Sequence, residues 1–320
     1  MKYIAWTTLV LSFICGNLSR RCNADSYTFA LVNYPNAPNS EARGINNNGA
    51  IVGIFGEELP PESHSFLKSN DLFTAISYPG ATETFANKIN NSGQIVGSYV
   101  DTAGNRHGFS LNGGNFNTID FPSAQTAVNG INDSGQMVGV YLGADGHVHG
   151  FLLTGGIFSS IDFPGATDTF VEAINGSGQI VGDSSSAGHE SGFQLIGGTF
   201  STVNFPGSTD TFVTGINNAG QMIGTYFLHG GPSVTDGNGF SLIDDNFVTI
   251  NFPGATATRP QGVNDLGVIV GDLTVVSGTT ITAKSGWEAT PVPAEPSTWV
   301  LFGTGVLGVL GYAWKRRQQG

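Results

Sequence analysis

A ten-residue pattern written six times constrains this chain more than any other feature. Gly44 to Gly53 returns as Lys88 to Gly97, Gly130 to Gly139, Ala173 to Gly182, Gly215 to Gly224 and Gly262 to Gly271. The Asn that anchors each copy falls at positions 46, 90, 132, 175, 217 and 264, so one unit occupies 42 to 47 residues. A period of about 40–45 residues with several short strands per unit is that of a propeller blade. The units are numbered 1 to 6 in chain order. Only 11% of residues are charged, while 47 are Gly and 22 are Phe, which suits short buried strands and tight turns rather than long charged helices.

Each unit holds four short apolar segments, seen in unit 4 as Thr169 to Ile174, Gln179 to Gly182, Gly192 to Ile196 and Phe200 to Phe205. Asn-x-x-Gly joins the first two, a polar loop the second and third, and a pair such as Gly113-Gly114 the third and fourth. These are hairpin connections, with Gly where the backbone needs positive φ. The link to the next unit is a different kind of segment, Phe-Pro-Gly-Ala-Thr in Phe163 to Thr167, and its Pro ends the ladder pairing of the strand before it.

Unit 6 stops after a third segment near Ser285-Gly286-Trp287. The missing fourth stands at the other end of the chain. Tyr27 to Pro35 closes on Tyr34-Pro35, which matches Tyr78-Pro79, Phe121-Pro122, Phe163-Pro164, Phe205-Pro206 and Phe252-Pro253. The arithmetic predicts an all-β fold over residues 25–290, a six-bladed β-propeller of four-stranded blades whose N-terminal strand completes the last blade and closes the ring. A linear solenoid would want polar capping repeats, which are not evident.

Both ends read as processing segments. Residues 1–24 have a basic start, the apolar run Ile4 to Cys15 and small residues before Asp25, the form of a secretory signal peptide; an uncleaved anchor is the alternative. Cys15 and Cys22 both precede the expected cut, so the mature chain would carry neither thiol nor disulfide. At the other end, residues 291–320 contain Pro293, Glu295 and Pro296, then the uncharged stretch Ser297 to Trp314, then Lys315-Arg316-Arg317. Those 18 uncharged residues predict an apolar transmembrane helix at the short limit, with the basic cluster left cytoplasmic.

This tail resembles the PEP-CTERM sorting signal, here written Pro293-Ala294-Glu295-Pro296 where the family form is Pro-Glu-Pro. The resemblance implies export by a Gram-negative bacterium that makes exopolysaccharide and processing by an exosortase. The chain would be anchored in the inner membrane first, then reach the cell surface or the extracellular space. A plain single-pass anchor is the alternative. The repeats are similar to the HAF family of extracellular repeats, through the Gly-Ile-Asn-x-x-Gly-x-x-x-Gly core and the triplets His64-Ser65-Phe66, His107-Gly108-Phe109 and His149-Gly150-Phe151. Units 4 to 6 depart from it with Ser191, Asn238 and Ser285 in the His position. The likeness implies fold and export, with no defined activity.

Candidate chemistry is thin. Asn46, Asn90, Asn132, Asn175, Asn217 and Asn264 stand three residues before Gly49, Gly93, Gly135, Gly178, Gly220 and Gly267, which is turn chemistry: the amide bonds backbone two residues on and the Gly takes the left-handed position. His64, His107 and His149 fall on different units, so no shared metal is assigned and a neutral imidazole bonded to a neighbouring hairpin is expected. His147 and His149 could hold a metal only with a carboxylate partner, which the sequence does not point to.

Glu83, Asp168 and Asp210 recur where the inter-unit linkers emerge beside the most variable loops, Glu57 to Ser63, Phe227 to Gly237 and Leu273 to Lys284. Variable loops on a regular scaffold are where binding usually resides, so this linker-loop face is the expected ligand face, for calcium or a glycan. No cofactor is otherwise indicated. Between positions 25 and 290 stand 23 acidic and 6 basic residues, which argues against a nucleic-acid partner.

The sequence therefore reads as a non-enzymatic, exported propeller that binds exopolysaccharide or another envelope glycan, or serves structurally. The rival is a glycan hydrolase or lyase on the same scaffold, which the uniformity of the units disfavours. Protein from the native host is expected to lack the run after about Pro296 and protein from a host without an exosortase to keep it. Intact mass of the two preparations decides, and an unprocessed native chain rejects the sorting reading.

Overall fold

The computed structural model describes residues 27–56, 63–228, 236–277 and 280–292. The leader 1–24, the sorting motif at Pro293, Glu295 and Pro296, and the expected helix 297–314 lie outside the described residues, as do most of two expected loops, at 57–62 and 229–235. Every element among the described residues is a strand, and none is a helix long and apolar enough to cross a membrane.

Strand β1 (Tyr27–Leu31) precedes the first repeat. Unit 1 comprises β2 (Asn39–Ile45), β3 (Ile51–Gly56), β4 (His64–Ser69) and β5 (Leu72–Ile76). Unit 2 comprises β6 (Glu83–Ile89), β7 (Ile95–Val100), β8 (Arg106–Asn112) and β9 (Asn115–Ile119). Unit 3 follows with β10 (Thr126–Ile131), β11 (Met137–Leu142), β12 (Val148–Thr154) and β13 (Ile157–Ile161). Unit 4 has β14 (Asp168–Ile174), β15 (Ile180–Ser186), β16 (His189–Ile196) and β17 (Thr199–Val203). Unit 5 has β18 (Asp210–Ile216), β19 (Met222–Phe227), β20 (Asn238–Ile243) and β21 (Asn246–Ile250). Unit 6 has three, β22 (Ala257–Val263), β23 (Ile269–Ser277) and β24 (Thr280–Pro291).

Units 2 to 5 are four separate four-stranded antiparallel blades. The remaining strands form one eight-stranded sheet, in the order β22-β23-β24-β2-β3-β4-β5 with β1 paired to β24. In it, β1 runs antiparallel to β24 from Tyr27 opposite Pro291 to Leu31 opposite Trp287. The terminal strand thus occupies the fourth place that unit 6 lacks. Among the described residues the two halves of this sheet are paired through a single parallel bridge, between Asn39 and Lys284. The arrangement is a β-propeller.

The last Gly of the ten-residue pattern has a steric cause. In every unit the innermost strand carries a bulge, such as that between Ala86 and Lys88. A Cβ at Gly97 would collide with the Phe85 carbonyl, and Gly182 stands likewise against Phe170. Directly across from each such Gly lies the largest fully buried side chain of its unit: Phe66, Phe109, Phe151, Phe193, Phe240 or Trp287. Each ring fills the space that its Gly leaves, so Gly and aromatic act as one packing unit.

One expectation is overturned. Leu273 to Lys284 is not a loop, because β23 and β24 extend as a long hairpin in which Leu273 pairs Ser285 and Thr274 pairs Lys284. Leu273 and Thr274 are buried, so the extra length that suggested a variable loop belongs to paired strands instead. Deleting residues 25–35 removes β1 and opens the cover over Trp287, whose indole is fully buried with Phe29 centred 5.9 Å away. That deletion is expected to lower the melting temperature far more than Leu72→Ser, which alters an exposed position. Equal losses in thermal melts followed by circular dichroism would refute closure by the terminal strand.

Candidate functional site

The innermost strands of all six units converge on one axis, and the axis has two unlike ends. At one end stand the Asn-x-x-Gly turns. Gly49, Gly93, Gly135, Gly178, Gly220 and Gly267 have φ between 76° and 83°, the left-handed region that Gly enters without a Cβ penalty. Each Asn side chain accepts backbone bonds within its own turn: in unit 3, Asn132 Oδ1 accepts from Ser134 N at 3.1 Å and Gln136 N at 3.0 Å.

The amide nitrogens do something that no single repeat reveals. Asn46 Nδ2 donates to the Asn90 carbonyl, Asn90 to Asn132, Asn132 to Asn175, Asn175 to Asn217, Asn217 to Asn264, and Asn264 back to Asn46, at 2.9–3.3 Å. Six buried amides therefore form a closed hydrogen-bonded ring, around a shallow axial cavity of about 80 Å³. The next residues add an outer relay: Asn47 N donates to Asn91 Oδ1, Asn91 N to Asp133 Oδ1, Gly176 N to Asn218 Oδ1, Asn218 N to Asp265 Oδ1 and Asp265 N to Asn47 Oδ1. The relay breaks between Asp133 and Gly176, where unit 4 has no side chain to accept.

Further along the axis is a cavity of about 70 Å³ that Lys88 enters from unit 2, where the other units carry Gly or Ala. Its ammonium donates to the Gln261 carbonyl at 2.6 Å and the Arg43 carbonyl at 3.2 Å, bracing unit 2 to units 6 and 1. Burial lowers its pKa to about 8, against the opposing pull of the Glu172 carboxylate. Glu172 is raised to about 7, also by burial, with Lys88 and Arg43 pulling it down. The repeat comparison missed these charges because they occupy the variable positions of the innermost strands, whose neighbours belong to other units.

At the other end, Glu83, Asp168 and Asp210 open β6, β14 and β18 rather than standing free in linkers. Two of them bind units together. Asp168 Oδ1 accepts from Val148 N of unit 3 at 2.8 Å, and Asp210 Oδ1 accepts from Glu190 N of unit 4 at 3.0 Å. Asp210 is 1% exposed, which corrects the expectation of an exposed acidic rim: a carboxylate that caps a neighbouring strand is drawn into the interface. Among the described residues no three His, Cys, Asp or Glu are placed to hold a metal ion.

The histidines differ from expectation as well. His107 lies between Asp120 at 2.9 Å and Asp101 at 3.3 Å, with its ring stacked on Tyr99. His149 lies between Asp162 at 2.7 Å and Asp145 at 3.2 Å, stacked on Tyr141. In each case the carboxylate at the fourth-strand end leads in raising the imidazole pKa, which favours the charged ring over the neutral one relative to a free imidazole. His147 Nδ1 is 3.6 Å from Asp168. Carboxylate partners for the His-x-His pair thus come from Asp145, Asp162 and Asp168, which long-range pairing brings together.

The fold and its axial geometry define a β-propeller. No protein-family model matches the chain, and no curated protein sequence matches it. Among solved structures it is similar to TolB from Acinetobacter baumannii, at TM-score 0.53 and 13% identity over 80% of this chain and 64% of that one. A protein of unknown function from Dyadobacter fermentans is similar at TM-score 0.51 and 11% identity, over 83% of this chain and 98% of that one. Identities this low carry the fold alone.

Asn132→Ala removes two acceptor bonds and the ring donor at a buried site. It is expected to cost about 1–3 kcal/mol in urea denaturation. Gly135→Val should cost at least about 1 kcal/mol through its left-handed backbone, and a loss below that in either variant contradicts the structural role. For His107 and His149 the folded pKa lies above the unfolded value, so their contribution is complete below about pH 6.5 and fades as pH rises through the folded pKa. NMR titration should show Asp120→Asn lowering the His107 midpoint, and an unchanged midpoint rejects the pairing.

Proposed function

We propose that this chain is an exported six-bladed propeller that acts in the cell envelope or extracellular matrix by binding rather than catalysis. The count of six is supported by the six copies of the repeat, by the closed ring of six Asn amides, and by the eight-stranded sheet dividing at one parallel bridge into β22-β23-β24-β1 and β2-β3-β4-β5. Export is supported by the leader and by the tail that resembles a PEP-CTERM signal, with an exosortase-type enzyme as the processing partner.

The observation that carries the binding reading is where polar groups are left over. At the turn end the repeated Asn side chains are consumed by the ring and by their own turns. At the loop end, Asp210 Oδ2 and Glu190 Oε2 are buried without a hydrogen-bond partner, and buried polar atoms left unsatisfied mark places kept for something else. Screening an array of bacterial exopolysaccharides and envelope glycans, with and without calcium, tests the reading. Retention on the loop end, lost on substituting residues there, supports it. Turnover of a retained polysaccharide would place the chain among glycan hydrolases or lyases instead, and retention unaffected by any loop-end substitution would reject this face.

A further inference from the structure

The loop end of the axis can be compared between units, because equivalent residues stand in equivalent registers. In unit 4, Asp168 pairs Ser185 and Ser185 pairs Glu190 across three strands; two residues along, Phe170 pairs Asp183 and Asp183 pairs Gly192. Paired residues share a sheet face, and so do residues two apart. Phe170, Asp183 and Glu190 therefore lie on one face, which the contacts of Gly192 with Thr211 and Val213 turn toward unit 5, while the Asp168 carboxylate is taken up by the Val148 N–H of unit 3. Asp210 reaches this face from unit 5 by accepting the Glu190 N–H.

Unit 2 shows what fills the same face elsewhere. Its residues in these registers are Glu83, Phe85, Ser98 and Arg106. The Arg106 guanidinium lies 4.8 Å from the centre of the Phe85 ring, and its Nη1 donates to Ser98 Oγ at 3.0 Å. Unit 6 also supplies a guanidinium: Arg259, in the place of Phe170, donates from Nη1 to Asp272 at 3.0 Å, and Gln261 donates to the other oxygen. Asp272 is the counterpart of Asp183. In unit 3 the same places hold Gln125, Ala127, Val140 and Val148, with no charge to balance.

Unit 4 keeps the ring and the carboxylates but has Glu190 where unit 2 has Arg106. Asp183 is 5% exposed, and no described residue hydrogen-bonds its carboxyl group. Glu190 Oε2 and Asp210 Oδ2 are buried without hydrogen-bond partners, and the exposed His189 imidazole stands 3.7 Å from the other Asp210 oxygen. Burial, followed by the negative charges of Glu172 and Glu190, pushes the Asp183 carboxyl well above its ordinary value. Phe170 and Glu190 are partly exposed and give the face an opening to solvent.

We infer that the face formed by Phe170, Asp183 and Glu190, with Asp210 of unit 5, binds a guanidinium group carried by an external ligand. It reproduces between units 4 and 5 the contacts that Arg106 and Arg259 make internally. The ring offers its face to the cation, and the carboxylates accept the planar fork of N–H donors. A guanidinium suits this better than an ammonium, which is a compact and strongly hydrated point charge. The inference rests on the binding reading above and names the ligand's chemistry.

The test is calorimetric titration of the whole protein with agmatine, a free guanidino compound, and N-acetyl-arginine amide, a peptide-borne one. N-acetyl-lysine amide and calcium chloride serve as comparisons. At least one guanidino probe is expected to bind one to one, and whichever binds identifies the source. Asp183→Asn should weaken that binding at least about tenfold. Glu190→Arg should abolish it by supplying the missing guanidinium from within, with the melting temperature kept or raised. Should Glu190→Arg fail to fold, Asp183→Asn decides alone. The inference is overturned if neither guanidino probe binds, if the lysine probe binds as tightly, if calcium alone binds, or if Asp183→Asn leaves affinity unchanged. Loss of guanidino binding with glycan retention intact would remove this inference and leave the binding reading standing.

Discussion

The ring of Asn amides around the axis is the constraint from which the rest of the structure follows. Each of these residues holds its own turn through Oδ1 and the next unit through Nδ2, so no unit can adopt its turn without fixing the position of its neighbour. The final bond, from Asn264 to Asn46, spans 218 residues of chain at 3.1 Å. It closes the axis, and β1 against β24 closes the rim independently. A hydrogen bond to a neutral partner contributes only about 0.5–1.5 kcal/mol net. The ring's importance lies instead in burial, since each amide would be left unsatisfied in a low-dielectric interior if its neighbour moved.

Away from the axis, aromatic stacking does for the linkers what the amides do for the turns. Tyr34 stacks on Phe55, Tyr78 on Tyr99, Phe121 on Tyr141 and Phe205 on Tyr226, with centroids 3.6–3.7 Å apart and planes within 7° of parallel. In each pair the ring that ends one unit lies over the second strand of the next. Such pairs contribute about 0.5–1.5 kcal/mol beyond area burial. The series fails in units 4 and 6, where Ser184 and Leu273 stand in place of the second ring. Those are the two units whose preceding residue is an aspartate, Asp183 or Asp272. Stacking is thus given up next to the buried carboxylates, in one unit with a guanidinium in attendance and in the other without.

What was legible in the sequence is what repeats. The turns, the Gly-aromatic pairs and the terminal strand each follow from a short local pattern copied at a fixed period, and local patterns report local geometry. The hairpin at Leu273 to Lys284 was hidden because the unit is longer there than its neighbours, and extra length between two strands reads as a loop even when, as here, it extends both strands. Asp210 looked like surface charge because an aspartate at the start of a strand usually is; its burial depends on the N–H of Glu190, twenty positions earlier and in another unit. The His107 and His149 clusters were half visible. Asp120 and Asp162 occur only in the two units whose third strand opens with His-Gly-Phe, whereas the other units have Asn33, Ser77, Asn204 or Asn251 at that place.

The buried charges divide into a compensated set and an uncompensated one, and the ring's symmetry makes that division readable. Along the axis, Lys88 and Arg43 offset Glu172, and the Lys88 ammonium also has two carbonyls to donate to. In unit 6, Arg259 and Gln261 offset Asp272. Each of these departures from the repeat therefore comes with its counter-charge or donor supplied by the chain itself, as the cost of burying a lone ionised group requires. Between units 4 and 5 the described residues supply no guanidinium or ammonium, only the exposed His189 imidazole 3.7 Å from Asp210 Oδ1: Glu190 adds negative charge where unit 2 adds positive, and so raises the cost of ionising Asp183. A scaffold that balances its interior charges elsewhere, and leaves this one face short of a strong cation beside an aromatic ring, departs from its own symmetry there rather than along the uniform turns.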